Sequence, residues 1–260
     1  MKGQSFNLRT YNSVKMHLQK CAWAIEVVDA RNVERTRIPP LETKFLDKLF
    51  IAATKSDLLK ELPNQGQMNS KTKKTPIFYV SSKTKEGIPR LKSELKKVIS
   101  RKLLSKEPPI DIFIFGIPNV GKSSLLNSIT GKKIAKTGFR SGITRGIQWI
   151  NFDSNSRLVD APGVAGGGIS ADSLAAYAAI DAQNITDPFG AAKKILFTIS
   201  KKNPGEIEKH YSISPSSHDP QDILDAIAHR RKMLLKGGEP DTNAAARLLI
   251  FDFQKGKISA

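Results

Sequence analysis

Gly116, Gly121, Lys122 and Ser123 stand at the spacing G-x-x-x-x-G-K-[ST] within GIPNVGKSSLLN, residues 116–127. That pattern does phosphate chemistry. The glycines let backbone N–H groups approach an anion, Lys122 reaches the β- and γ-phosphates, and Ser123 ligates magnesium. The segment SSLLNSI should be a helix whose positive end faces the anion. The residues from Asn119 and Val120 through Gly121, Lys122, Ser123 and Ser124 are thus expected to line a nucleotide's phosphates. Downstream, DAPG fits D-x-x-G. Asp160 would hold magnesium through water, and the Gly163 N–H would meet the γ-phosphate. Thr144, in GFRSGITRG, can add its hydroxyl to the metal once that phosphate is present.

A guanine reader of the [NT]-K-x-D kind needs a carboxylate for the base N1–H and 2-amino group, with a lysine packed on the ring. Lys-x-Asp occurs in TKSD, Thr54 to Asp57, which ends the apolar run LFIAA and lies before the phosphate loop. A strand-end loop there would enter the nucleotide crevice. Farther on, VSSK offers Ser81, Ser82 and Lys83 for the element whose backbone N–H meets guanine O6. Base selection is thus expected before phosphate binding in the chain.

Alternating strands and helices must position these residues. Runs of strand length occur at 24–30 (AIEVVDA), 49–54, 77–82 and 111–116, with shorter ones at 147–152 and 157–161. In GIPRLKSELKKVISRKLL the apolar residues Ile88, Leu91, Leu95, Val98 and Ile99 recur at helical spacing. Strands apolar throughout are buried on both faces, so an α/β, doubly wound, mostly parallel sheet follows. After about residue 168 helices dominate. Asp187-Pro188, Asn203-Pro204 and Asp219-Pro220 each read as a helix start, Gly237-Gly238 as a helix end, and DTNAAARLLIFDF as the last helix.

Charge narrows the partners. The formal net charge is +18, and residues 1–165 hold 30 Lys and Arg against 13 Asp and Glu. Residues 71–106 carry 12 basic side chains and two acidic ones. A surface of this kind suits a phosphate backbone, RNA first. No apolar run approaches the roughly 20 residues of a membrane helix, and the N-terminus has no secretory pattern. The single cysteine, Cys21, cannot form an internal disulfide, so no disulfide partner is expected and a reducing cytoplasm fits.

Taken in order, these segments resemble the circularly permuted GTPases, and within them the YlqF (ribosome biogenesis GTPase A) family. The resemblance rests on VVDAR (27–31), TKSDLL, SSKTKEGI, GIPNVGKSSLLNSI, GITRGIQWI and DAPGV, followed by a C-terminal stretch that looks like the family's helical domain. It implies a GTPase domain over 1–165 with motif order G4-G5-G1-G2-G3, and a helical domain over 170–260 that binds RNA or the ribosome. It further implies GTP/GDP and Mg2+ as ligands, the large ribosomal subunit as partner, and slow GTP hydrolysis that releases it.

Lys122, Thr144 and Asn119 are the residues this resemblance assigns to catalysis. Asn119 resembles the asparagine that helps potassium-dependent relatives hold K+ beside the phosphates. Val164 replaces the water-orienting glutamine of many GTPases. Arg140 and Arg145 flank Thr144 and could contact phosphate or RNA, and Gly166 to Gly168 predict a flexible exit toward the helices. Thr54 stands where the family usually has asparagine. The family's N-terminal tryptophan- and histidine-containing motif has no match, and His17 sits near the first strand. Two other readings stay open: a nucleotide-gated RNA-binding module with negligible hydrolysis, and an ATPase.

Overall fold

A computed structural model describes residues 8–42, 48–59, 61–62, 75–105, 107–132, 147–163 and 182–258. The strand-length runs form β1 (Trp23–Asp29), β2 (Leu49–Thr54), β3 (Ile77–Tyr79), β4 (Ile110–Phe115), β5 (Gln148–Asn151) and β6 (Ser156–Asp160). They join one six-stranded sheet in the order β3-β2-β1-β4-β6-β5. All neighbours are parallel except the edge pair β5 and β6. β2 and most of β1 and β4 are buried on both faces, as a sheet covered by crossover helices requires.

The strand order steps outward from β1 to β3 and then resumes on the other side of β1 with β4. The ends of β1 and β4 therefore lie side by side at the point where loops diverge in opposite directions. In open α/β sheets that divergence makes the ligand crevice. The helices of this unit are α1 (Leu8–Lys20), two single turns α2 (Val33–Thr36) and α3 (Pro39–Glu42), α4 (Ile88–Leu103) and α5 (Lys122–Thr130). The face of α4 formed by Ile88, Leu91, Leu95, Val98 and Ile99 is buried, while Arg90, Lys96, Lys97 and Arg101 are exposed.

One strand departs from the apolar expectation. Glu26, in the middle of β1, is fully buried, and its Oε1 accepts the Ile38 N–H at 2.5 Å. Burial, with Glu42 alongside, pushes its carboxyl well above the usual carboxylate range.

Residues 1–170 and 171–260 form two compact units. The described part of the second is all helical: α6 (Pro188–Lys202), α7 (Glu206–Tyr211), α8 (Pro220–Arg230) and α9 (Thr242–Gln254). α9 packs on α6 and α8 through Leu249, Ile250 and Phe253, all fully buried. Asp187, Asp219 and Asp241 cap the starts of α6, α8 and α9 by accepting backbone N–H groups.

Two expected boundaries are corrected. Asn203 does not start a helix. It closes α6, its N–H bonding Ile199 O at 2.7 Å, and α7 begins only at Glu206. A residue before proline is kept out of the helical region, and Asn203 has φ −144° and ψ 70°. Gly237-Gly238 does not end a helix either. α8 stops at Arg230, and the glycine pair turns a short antiparallel bridge between Leu234 and Pro240. Glycine's freedom at positive φ serves both uses, so the residue type alone does not choose between them.

Candidate functional site

The phosphate loop leaves β4 and enters α5, as its pattern requires. A Cβ on Gly116 would lie 2.3 Å from the Val27 carbonyl oxygen, so only glycine lets β4 exit beside β1. Asn119 adopts φ 58°, a left-handed conformation uncommon for a residue with a side chain. Lys122 is buried and arches back over the loop, where its Nζ donates to the carbonyl oxygens of Gly116 at 3.1 Å and Ile117 at 2.9 Å. Burial lowers its pKa to about 8, against an upward pull from Asp160. Val120 is buried, while Ser123 and Ser124, on the first turn of α5, are half-buried.

Asp160 ends β6, whose pairing with β4 continues through the Ala161 N–H to the Ile114 carbonyl at 3.1 Å. It is fully buried, and neither carboxylate oxygen has a hydrogen-bond partner among the described residues. An uncompensated buried carboxylate is costly. Burial raises its pKa to about 6, with Lys122 pulling it down. Gly163 lies against the loop, since a Cβ there would come within 2.8 Å of the Pro118 backbone. β4, α5 and β6 thus bring one lysine, one orphaned carboxylate and a hydroxyl-bearing helix start to one edge.

This donor set fits magnesium, a hard cation usually held by one or two protein oxygens plus phosphate oxygens and waters. A cage of several acidic or histidine ligands is not needed, and none occurs among the described residues. Thr144 lies outside the described residues, as do Val164, Arg140, Arg145 and Gly166 to Gly168.

The segments expected to read the base come to the same edge. Thr54 ends β2, and its Oγ1 reaches two carbonyl oxygens, that of Val28 in β1 at 3.0 Å and that of Val120 in the phosphate loop. Lys55 follows with φ 60°. Asp57 Oδ1 accepts from Ser81 Oγ at 2.7 Å, and that hydroxyl accepts the N–H groups of Lys83 and Thr84 at 3.1 and 3.0 Å. The carboxylate and the 81–83 turn are therefore one hydrogen-bonded object. Ser82 Oγ is buried without a partner among the described residues. Lys83 is exposed, and Lys85 Nζ donates to Ser128 Oγ of α5 at 3.0 Å, a second tie between the two halves.

Asp29 and Arg31 received no role from sequence, yet both are fully buried at the end of β1, where Asp29 pairs with both Arg31 and Lys55. A charged residue closing a buried parallel strand was the available signal, because strand ends face the crevice. His17, on α1, packs its ring against Trp149 of β5, centroids 6.2 Å apart, so it borders the edge strand.

The RsgA GTPase family model matches residues 25–170, from β1 past β6, and the 50S ribosome-binding GTPase model matches residues 111–233. The chain belongs to the circularly permuted GTPases. Its motif order resembles that of the YlqF kind among them.

A GTP-binding protein of Methanocaldococcus jannaschii is 32% identical over 93% of this chain. Ribosome biogenesis GTPase A of Priestia megaterium is 28% identical over 90% of this chain and 85% of its own length. Nucleolar GTP-binding protein 2 of Pneumocystis carinii is 27% identical over 96% of this chain. The chain spans 64% of the archaeal relative's length and 53% of the nucleolar one's. The fold matches GNP-bound YlqF from T. maritima with a TM-score of 0.62 at 22% identity, covering 96% of this chain and 94% of that one.

The raised pKa of Asp160 makes a pH prediction. A carboxyl whose folded pKa exceeds its unfolded value binds more protons when folded between pH 4 and 6. Stability therefore falls as pH rises through that window, by on the order of 3 kcal/mol for this group. Urea unfolding of nucleotide-free Asp160→Asn should show higher stability than wild type at pH 7.5, with the difference shrinking toward pH 4. A difference independent of pH would contradict the burial argument.

Proposed function

We propose that the protein is a guanine-nucleotide switch that hydrolyses GTP slowly to GDP and phosphate. In this reading its nucleotide state sets when it binds and leaves the large ribosomal subunit or its rRNA, in the cytoplasm. What supports it most is the convergence, at one sheet edge, of the Asp57–Ser81 pair with the Lys122 loop and the orphaned Asp160.

In this reading Asp57 accepts from the guanine N1–H and 2-amino group, and the Lys55 stem packs on the ring. The N–H groups of residues 81–83 face O6. The N–H groups of residues 119–124 and the Lys122 ammonium bind the phosphates, and Gly163 N–H meets the γ-phosphate. Ser123, Asp160 and Thr144 would hold magnesium, which when bound offsets charge on the phosphate oxygens. Asn119 would help hold K+, whose charge serves the same end as an arginine finger.

Slow turnover follows from Val164, whose side chain cannot orient a water. The same residue favours the second reading, an RNA-binding module gated by nucleotide that scarcely hydrolyses it. The ribosomal partner is supported by the names of relatives such as ribosome biogenesis GTPase A and by the basic composition. The Thr54 tie between β2 and the phosphate loop weighs against the ATPase reading, because it supplies the linking role expected of a guanine-reading loop.

Single-turnover assays should show GTP hydrolysis that is faster in KCl than in NaCl at equal ionic strength, and faster again with ribosomal particles. Hydrolysis indifferent to both would favour the gated module. Sedimentation should place the protein with the large subunit in a non-hydrolysable GTP analogue and release it in GDP. Failure to co-sediment in either state would refute the ribosomal assignment.

A further inference from the structure

The end of β1 carries a charge cluster that the nucleotide reading leaves unused. Asp29 sits beside Thr54 in the β1–β2 register, one residue short of Lys55. Its Oδ1 accepts from the Arg31 backbone N–H at 3.1 Å and from Arg31 Nε at 2.9 Å. Its Oδ2 accepts from Arg31 Nη2 at 2.8 Å and from Lys55 Nζ at 2.9 Å. The Asp29 N–H in turn donates to Thr36 Oγ1 at 3.0 Å. Four donors on two oxygens leave this carboxylate no freedom to rotate.

Two features separate this cluster from an ordinary buried ion pair. First, two cations converge on the one carboxylate of Asp29, where a neutral Asp29–Arg31 pair would already be satisfied, and the Asp57 charge acts on Lys55 more weakly; adding a third charge to a buried site needs a reason. Asp29 and Arg31 side chains are fully buried, but that of Lys55 is 20% exposed, so one side of it opens outward. Secondly, Lys55 is held at φ 60°, where a side-chain-bearing residue is strained. Such strain persists only when surrounding contacts over-determine it, and here the ties of Thr54, Asp57 and the Lys55 ammonium surround the position.

The direction of that open side follows from its neighbours. Thr54 before it is tied to the phosphate loop, and Asp57 after it is tied to the Ser81 turn. With its ammonium anchored behind, Lys55 can present only its four-carbon stem, which is the part of a lysine that covers apolar surface. Burial also pulls the Lys55 pKa down, with Asp29 opposing it. An ammonium in that setting is stabilised by its tether.

We propose that Asp29, clamped by Arg31, is a positioning residue that holds the Lys55 ammonium so that the Lys55 stem forms the platform under the nucleotide base. Asp29 then supports base affinity and leaves phosphate affinity untouched. The inference rests on the guanine-nucleotide reading above.

The test measures GDP and inorganic pyrophosphate affinities by calorimetry for wild type, Asp29→Asn, Lys55→Met and the double variant. Asp29→Asn should weaken GDP about tenfold and pyrophosphate less than about twofold. In the Lys55→Met background the same substitution should change GDP affinity less than about twofold, because the group through which it acts is gone. Equal losses for GDP and pyrophosphate, or the same GDP loss in both backgrounds, would overturn the proposal.

Should Asp29→Asn not fold, Asp29→Asn with Arg31→Gln removes opposite charges together and must show the same GDP-specific loss; equal weakening of both ligands by this pair overturns the proposal as well. Wild-type protein that binds GDP no better than pyrophosphate would instead sink the underlying nucleotide reading.

Discussion

The Thr54 hydroxyl is the point where the two halves of this domain meet. Its oxygen reaches the Val28 carbonyl of β1 and the Val120 carbonyl of the phosphate loop, residues far apart in sequence. One hydroxyl has a single proton to share between two acceptors, whereas an asparagine amide has two. A buried carbonyl without a donor costs about 1–3 kcal/mol, so this proton constrains how β1, β2 and the loop can move apart. The Lys85–Ser128 bond adds a second link from the 81–85 turn to α5. Chain order matters little under such constraints, because what aligns the loops is that parallel strands end at one edge.

The same edge stores electrostatic cost. Among the described residues Asp160 is a buried carboxylate without a hydrogen-bond partner, and Lys122 is a buried ammonium that donates to the carbonyl oxygens of Gly116 and Ile117. Neither arrangement suits stability, and both suit a ligand that brings phosphate oxygens and a divalent cation. The Asp29–Arg31–Lys55 cluster is of the other kind, since its members satisfy one another. Unsatisfied groups mark where a ligand adds charge, and satisfied ones mark where the protein holds itself still.

Much of this was legible in sequence for definite reasons. A buried parallel strand reads as an unbroken apolar run, so LFIAAT and DIFIFG fall within a residue of the observed strands. The loop Gly116 to Ser123 was legible because backbone approach to phosphate leaves few residue choices. Other features needed three dimensions. Glu26 is buried against the Ile38 N–H beyond β1, and Arg31, just past the strand, against Asp29 at its end, and no periodicity announces a partner of that kind. α1 was missed because its sequence is largely polar; among its described side chains Val14 is the buried apolar one. Asn203 and Gly237 misled because asparagine and glycine serve starts, stops and turns alike.

The central claim is that base-reading residues placed before the phosphate loop in sequence act with it as one guanine site. Competition of GDP and ADP against a fluorescent guanine nucleotide, bound to the protein with magnesium, tests this most directly. GDP should displace the probe at concentrations more than about a hundredfold lower than ADP, because the wrong base leaves the site's buried polar groups unpaired. Equal displacement by the two would contradict the account.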